Sequence, residues 1–214
     1  MYIRPIFRLT DQAKLVAFMQ RYSFATLITA TGQMPIATHL PLLVATPGDE
    51  LRLVGHELRL VGHMARANPQ WHELEAHSVL VVFSGPYAYI SPTHYEQQRS
   101  VPTWNYLAVH ATGRARLVTE PARVLEIMAA TIAQYEPGYQ PQWERMPPDF
   151  QAGLLQGIVA FELTITDLQG QQKLSQNKTA GEQQRIREAL AGSPDQHACE
   201  VAAYMRASQQ TAAR

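Results

Sequence analysis

The residues from His63 to Asn68 carry the side chains of this chain that are best suited to chemistry. They place an imidazole, the guanidinium of Arg66 and a carboxamide where a strand-like segment passes into a turn of helix. Anion sites use a fixed guanidinium, backbone N–H groups at a helix start and nearby polar donors. The stretch therefore predicts a site for a phosphate-bearing cofactor, with a solvated or ion-paired arginine as the alternative.

Hydrolytic and metal chemistry are less well supported. No G-x-S-x-G elbow is present, so a serine nucleophile is not indicated. Among the eight histidines, His56 and His63 owe their spacing to a repeat, His72 and His77 are separated by a loop, and none forms an H-x-x-x-H pair on a helix. The single cysteine, Cys199, excludes an internal disulfide and a cysteine-rich zinc site. We predict no metal site.

The balance of charge argues against a dedicated nucleic-acid-binding protein. The chain has 18 basic and 18 acidic residues and a formal net charge of zero, so the basic footprint of such proteins is missing. A basic helical face at Lys178, Arg185 and Arg187 is balanced by Glu182 and Glu188, which favours a solvated face. No apolar run approaches the ~18 residues of a membrane span, and no signal peptide is evident. We expect a soluble, cytoplasmic protein.

Strands and amphipathic helices must position these side chains. Pro41 cannot donate to a ladder, so its strand should lie at an edge or be bulged, and the run containing Gly113 is one bent strand or two. Strands outnumber helices in the middle of the chain, so the predicted class is α+β around a mostly antiparallel sheet. The predicted strands are Phe24–Ala30, Ile36–Val44, Ser78–Ser84, Tyr87–Ser91, Val101–Val118 and Ile158–Asp167, and the predicted helices include Leu15–Tyr22, Val124–Ile132, Asp149–Gln156, Ala180–Leu190 and Pro194–Ala207.

The segment that leads to Arg66 contains an internal repeat. ELRLVGH occurs at Glu50–His56 and again at Glu57–His63. As one strand, the two copies would span about 46 Å at ~3.3 Å per residue, far more than an ordinary strand. A copy has an odd number of residues, so a slip by one copy would turn every side chain to the opposite face. We predict that the second copy keeps the native strand, because it joins Arg66 directly, and that the first copy is displaced.

Five motifs follow one another in the order ATHLPLL, GHMARANPQW, GPYAYISPTHY, VPTWNYLAVHATGRARL and KLSQNK. Together they resemble the PaiB family of FMN-binding negative transcriptional regulators, from Met1 to about Leu190. The resemblance implies an FMN-binding split β-barrel, related to the pyridoxamine-phosphate oxidase and flavin-reductase folds, that forms a homodimer with flavin sites at the subunit interface. It also implies a barrel domain over residues 1–170, with the KLSQN loop and C-terminal helices of residues 171–214 packed on the same domain.

The resemblance further implies which residues bind the cofactor. The phosphate end would lie near His63, Arg66 and Asn68. Thr38 and His39, in the preceding strand, would approach the flavin or its ribityl chain.

The PTWNY and KLSQN motifs would close the flavin site or the dimer interface. The residues implied are Trp104, Asn105, Lys173, Ser175 and Gln176. A core or interface aromatic is the alternative for Trp104, and a loop that only seals the dimer is the alternative for KLSQN.

Three functions remain open at this point. The main prediction is an FMN-binding negative transcriptional regulator that lacks an evident DNA-reading motif. The alternatives are a flavin-dependent oxidoreductase, in which the flavin would carry the redox chemistry, and a dimeric binding module without cofactor. Direct DNA binding is left undecided, no membrane partner is expected, and no catalytic residue is identified.

Overall fold

The chain folds into two compact units, and the computed structural model describes residues 1–30, 34–45 and 58–212. Within this described part, no helix is long and apolar enough to span a membrane. The first unit comprises Met1–Phe18, Ser84–Val109 and Gln169–Arg214, and the second comprises Met19–Phe83 and His110–Leu168.

The secondary structure combines one sheet with helices, so the predicted α+β class around a mostly antiparallel sheet is confirmed. Along the sheet the strands follow the order β3-β2-β6-β7-β8-β5-β4, and β1 pairs with β8. The strands are β1 (Arg8–Leu9), β2 (Phe24–Ala30), β3 (Pro35–Pro41), β4 (Leu43–Ala45), β5 (Arg59–Ala65), β6 (Ser78–Ile90), β7 (Thr103–Val118) and β8 (Ile158–Lys173). The helices are α1 (Gln12–Arg21), α2 (Pro121–Tyr135), α3 (Gln140–Glu144), α4 (Pro148–Leu155), α5 (Ala180–Ala191) and α6 (Gln196–Ala212).

Strands β6, β7 and β8 are each continuous and long. The predicted break at Gly85 and Pro86 is wrong, because β6 runs through both residues. The register of β2 with β6 ends at Val82, so the missing N–H of Pro86 removes no bond from that pairing. Strand β7 is a single strand, and β8 continues past the predicted end at Asp167 to Lys173.

The β2–β3 hairpin lies in the second unit. Strand β3 stands first in the sheet order and ends at Pro41, which confirms the predicted edge position. The prediction of one strand over Ile36–Val44 is wrong, because Leu42 separates β3 from β4. The Leu42 N–H donates instead to the Ser23 carbonyl at 2.9 Å.

The second copy of the ELRLVGH repeat supplies β5. Its residues from Arg59 to His63 lie in the strand, which pairs antiparallel with β4 and β8. The prediction that the second copy keeps the native strand is therefore confirmed. The first copy, Glu50–His56, lies outside the described residues.

Helix α2 is fixed to the sheet of the second unit by a buried ion pair as well as by apolar packing. Glu162 of β8 is 5% exposed, and both Nε and Nη2 of Arg123 lie 2.8 Å from its Oε1. Arg59 Nη1 lies 3.3 Å from the other carboxylate oxygen. A buried carboxylate needs such partners, because desolvation of an unpaired charge is costly. The adjoining apolar cluster consists of Leu43, Ala45, Val61, Val118, Ile127 and Ala160, with Val124 and Ala130 packed against it.

The two C-terminal helices, α5 and α6, belong to the first unit. The prediction of two successive helices in this part of the chain is confirmed. Thr179 and Glu182 form a capping box at the start of α5: each side chain accepts the backbone N–H of the other residue. Helix α6 begins later than predicted, at Gln196. Asp195 Oδ1 accepts the N–H of His197 at 2.9 Å, so this carboxylate caps the start of the helix.

Candidate functional site

Three polar side chains of the second unit connect β3 to the turn that follows β5. Asn68 caps the 3-10 turn Pro69–Glu73: its Oδ1 accepts the Gln70 N–H at 3.0 Å, and its Nδ2 donates to Thr38 Oγ1 at 2.8 Å. The Thr38 hydroxyl donates in turn to Gln70 Oε1. Asn followed by Pro suits this turn, because Asn caps well and Pro needs no N–H at the first position. The predicted residues Thr38 and Asn68 are therefore in direct contact.

Gln70 is the member of this network that sequence analysis missed. It is 0% exposed, and its Nε2 lies 3.1 Å from Thr29 Oγ1 and 3.0 Å from the Ile36 carbonyl oxygen. A buried amide without partners would cost ~1–3 kcal/mol, so these bonds help to hold the turn on the β2–β3 hairpin. The sequence carried no signal of this burial, because a glutamine after a turn is usually exposed.

The two histidines predicted to bind the cofactor have different environments. His39 is exposed, with Nδ1 3.0 Å from Thr26 Oγ1 and its ring stacked near Phe24 at a centroid distance of 6.5 Å. His63 is half-buried on β5, and burial lowers its pKa. Its imidazole is therefore neutral at neutral pH, and it offers one N–H donor and one acceptor rather than a positive charge.

Arg66 is exposed, yet its guanidinium is tied to the backbone. Its Nε donates to the Gln156 carbonyl at 2.7 Å, and its Nη2 donates to the Ile158 carbonyl at 2.8 Å. The backbone N–H of Arg66 donates to the Gly157 carbonyl at 2.9 Å. One edge of the guanidinium is thus occupied by the turn between α4 and β8, while the opposite edge, which includes Nη1, carries further N–H groups. Arg66 also lines a cavity of about 540 Å³.

In the first unit, the PTWNY and KLSQN motifs meet at a buried hydrogen bond. Asn105 is 0% and Ser175 is 3% exposed, and the Asn105 Nδ2 and Oδ1 atoms lie 3.0 and 3.1 Å from Ser175 Oγ. Ser175 has a φ of 62°, the one positive φ found among the described non-glycine residues. Left-handed backbone costs such a residue ~1–2 kcal/mol, so the surrounding contacts must hold it. Gln176 closes the same turn, because its Oε1 accepts the Leu174 N–H at 2.7 Å.

Lys173 ends β8 immediately before this turn. Its ammonium donates to Thr103 Oγ1 and lies 6.0 Å from the centroid of the Phe7 ring. Burial lowers the pKa of Lys173, and the positive charge of Arg4 lowers it further. A half-buried cation beside a second cation is an environment that an anion would stabilise.

Trp104 lies in an exposed aromatic group of the first unit, so the alternative of a core residue is wrong. The exposed fractions of Trp104, Tyr87 and Tyr89 are 51%, 49% and 52%. Tyr89 meets the Trp104 ring edge-on at a centroid distance of 5.8 Å, and Tyr87 stacks on His197 at 4.6 Å. We call these four residues the aromatic surface.

The predicted cofactor residues form two sets, one in each unit. Among the residues that the structure describes, no group of three His, Cys, Asp or Glu side chains is placed to hold a metal ion. The second unit holds Thr38, His39, His63, Arg66 and Asn68, and the first unit holds Trp104, Asn105, Lys173, Ser175 and Gln176.

The sequence is similar to known proteins, in one case over almost its full length. The model of the family described as "Putative FMN-binding domain" matches residues 1–167. The chain is 36% identical over 208 residues to the protease synthase and sporulation protein PAI 2 of Bacillus subtilis (strain 168), an alignment that covers 96% of each chain. It is 30% identical over 116 residues to the uncharacterized protein YKL070W of Saccharomyces cerevisiae, which covers 51% of this chain and 64% of the yeast protein.

Solved structures with the same fold have low sequence identity to the chain. The flavocytochrome Anf3 from Azotobacter vinelandii superposes with a TM-score of 0.62 at 18% identity, over 80% of this chain and 72% of that one. The FAD- and heme-binding protein from Mycobacterium smegmatis superposes with a TM-score of 0.60 at 15% identity, over 87% of this chain and 80% of that one. The predicted split β-barrel fold is confirmed.

Proposed function

The chain belongs to the PaiB family of FMN-binding domain proteins, and from this membership we propose that it binds FMN through the KLSQN segment, with the phosphate at Lys173. The family match and the flavin-containing fold relatives support a flavin. When bound, the flavin supplies the redox-active ring, and the protein supplies its orientation and electrostatic surroundings.

The strained turn at Ser175 is the observation that carries the proposal. Its left-handed φ of 62° is maintained by a fully buried partner, Asn105, from a distant part of the sequence. Strain of this kind persists where the surroundings over-determine it, and it clusters at ligand clamps. We therefore assign the turn the task of fixing the end of β8, so that Lys173 is presented in one position.

Lys173 has the chemistry that a terminal phosphate requires. An ammonium is a compact point charge and a common phosphate ligand. Because burial and the positive charge of Arg4 both lower the pKa of Lys173, a phosphate dianion beside it would favour the charged form and offset both effects. The adjacent hydroxyl of Thr103 provides a further polar contact.

The contacts that the family resemblance implies between the second unit and a flavin stay a prediction. Thr38, Asn68 and neutral His63 present uncharged donors and acceptors, which suit ribityl hydroxyls and ring heteroatoms rather than a phosphate. Exposed His39 belongs to the same predicted set. The contact of Arg66 with the phosphate stays a prediction, because two backbone carbonyls already accept from one edge of its guanidinium.

The proposal is tested by comparing FMN with riboflavin, which lacks the phosphate. We expect Lys173→Gln to weaken FMN binding by about 1.5–3 kcal/mol, or roughly 10- to 150-fold, and to leave riboflavin binding nearly unchanged. Flavin fluorescence quenching measures both dissociation constants. Lys178→Gln is the matched control, because it removes the same charge from a lysine that is not assigned to the phosphate. The Lys178 ammonium lies over the Tyr95 ring, 3.5 Å from its centroid. Equal losses for FMN and riboflavin, or no loss of FMN binding, would contradict the assignment of Lys173.

We also propose that the protein acts as a cytoplasmic, homodimeric negative regulator of transcription. The family resemblance supports regulation, the exposed aromatic surface supports dimer formation, and the free thiol of Cys199 suits a reducing compartment. The formal net charge of zero favours action through a partner rather than through direct DNA contact. A mobility shift at physiological salt that is specific for one promoter would refute the indirect route.

A further inference from the structure

A cavity of about 540 Å³ in the second unit is not needed for the proposed phosphate contact at Lys173, although the predicted cofactor residue Arg66 lines it. It is bounded by the end of β7, the first turns of α2, helix α4 and the start of β8. Cavities of ~300–1,000 Å³ are typical of small-molecule sites, so this one has the size of a ligand site.

The walls of the cavity are mainly apolar. Helix α2 contributes Val124 and Leu125, helix α4 contributes Ala152 and Leu155, and β8 contributes Ile158. None of the lining side chains within the described part of the chain is acidic. This lining favours a ligand with an aliphatic or aromatic body, because the transfer of apolar ligand surface from water into an apolar cavity is favourable.

Arg66 is the charged residue of the lining, and its side chain is held in place. Its Nε and Nη2 donate to the carbonyls of Gln156 and Ile158, two residues that also line the cavity. This anchoring reduces the entropy that binding would cost and leaves the Nη1–Nη2 edge for another acceptor. That edge has the planar two-donor geometry that pairs with a carboxylate.

We propose that the cavity binds a small molecule with an apolar body and a single carboxylate, of the medium-chain fatty acid class. The apolar chain lies between α2 and α4, and the carboxylate pairs with the free edge of Arg66. One charged group in a mainly apolar lining matches a monoanion, since a second negative charge would be desolvated without a cationic partner. This site uses neither Lys173 nor the Ser175 turn.

Isothermal titration of the FMN-loaded protein with decanoate tests the site, with decanol as the uncharged probe. We expect saturable decanoate binding at one molecule per chain, and clearly weaker binding of decanol. Ala152→Trp and Leu155→Trp each fill the cavity and should weaken decanoate binding at least about tenfold, because both residues line it. Arg66→Gln should weaken decanoate binding about tenfold and leave decanol binding unchanged.

Leu154→Trp is the matched control on the same helix, because Leu154 is 50% exposed and does not line the cavity. Circular dichroism melting identifies any variant that fails to fold. If one of the two cavity-filling variants does not fold, the other still tests the site. FMN binding should persist in Ala152→Trp, and decanoate binding should persist in Lys173→Gln, so the two proposals fail separately. Absence of saturable binding, equal affinity for decanol and decanoate, or unchanged binding in folded cavity-filled variants would overturn the inference.

Discussion

At the scale of single residues, Ser175 links backbone strain to the proposed function. Serine has no intrinsic preference for its φ of 62°. Ser175 adopts this left-handed conformation because the buried Asn105 side chain forms hydrogen bonds with the Ser175 hydroxyl through both its amide nitrogen and its amide oxygen. The hydrogen bonds of the Ser175 hydroxyl therefore offset the conformational strain of its backbone.

Two substitutions at Ser175 separate these effects. Both Ser175→Ala and Ser175→Gly remove the hydroxyl bond, but glycine alone relieves the left-handed strain. We expect the glycine variant to be about 1 kcal/mol more stable than the alanine variant, the reverse of the usual order in regular structure. Urea unfolding measures the difference. A more stable alanine variant would show that this conformation is not strained.

At the scale of elements, the close approach of β7 and β8 explains a glycine that sequence analysis associated with a bend. A Cβ built on Gly113 would lie 2.2 Å from the Thr164 carbonyl oxygen and 3.0 Å from its carbonyl carbon. The Thr166 hydroxyl also donates to the Thr112 carbonyl at 3.2 Å. The contact is with backbone, which cannot rotate away as a side chain can, so glycine is needed there.

We therefore expect Gly113→Ala to lower the free energy of unfolding by at least about 2 kcal/mol. Gly153→Ala is the control, because nothing lies within 4 Å of a Cβ at Gly153 of α4. That substitution should raise stability by up to about 1 kcal/mol, as alanine does in a helix. Chemical denaturation compares both with the parent chain, and a Gly113→Ala protein of parental stability would contradict the close approach.

The capping box of α5 makes one contribution to stability dependent on pH. The Glu182 carboxylate accepts the backbone N–H groups of Glu96 and Thr179 at 3.0 and 3.1 Å. The bond from Glu96 is the main reason that the pKa of Glu182 is lowered. A lowered folded-state pKa stabilises the fold above the unfolded-state value, and this stabilisation is lost as the pH falls through the folded-state value.

Glu182→Gln should remove that pH dependence while keeping a capping-box side chain. We expect the variant to be less stable than the parent at neutral pH, and the difference to shrink as the pH falls below about 4.3. Urea midpoints at several pH values measure this change. Glu188→Gln, an exposed substitution on the same helix, serves as the control. A difference that stays constant with pH would show that the carboxylate charge is irrelevant.

At the scale of the whole molecule, the aromatic surface bears on assembly. Three of its rings are about half exposed and in contact with one another, and a contiguous exposed apolar patch often marks an interaction site. Tryptophan and tyrosine are also the residues that most often dominate interface energies. The homodimer implied by the family resemblance would have a suitable contact here.

A double substitution tests this use of the aromatic surface. Trp104→Ser with Tyr89→Ser should weaken dimerisation by at least about tenfold, because interface aromatic residues often contribute about 2 kcal/mol. Analytical ultracentrifugation gives the dissociation constant. Tyr2→Ser is the control, because Tyr2 is 85% exposed and lies outside the aromatic surface. A monomeric parent chain, or an unaltered dimer in the double variant, would reject this interface.

Local patterns in the sequence were sufficient for the class, the family and many elements. Helix periodicity, the Thr179–Glu182 capping box, the edge position of Pro41 and the choice of the second repeat copy for β5 all follow from chemistry within a few residues. The motifs also singled out Asn105 and Ser175, although their contact joins residues 70 positions apart.

Only the tertiary structure decided what those residues contact. Arg66 meets carbonyls 90 and 92 positions away, and Gln70 is buried by partners on a hairpin more than 30 positions earlier. The unbroken course of β6 and the need for Gly113 likewise depend on neighbouring strands. Periodicity and capping report the preferences of a segment, whereas burial and hydrogen-bond partners depend on surfaces that the folded chain brings together.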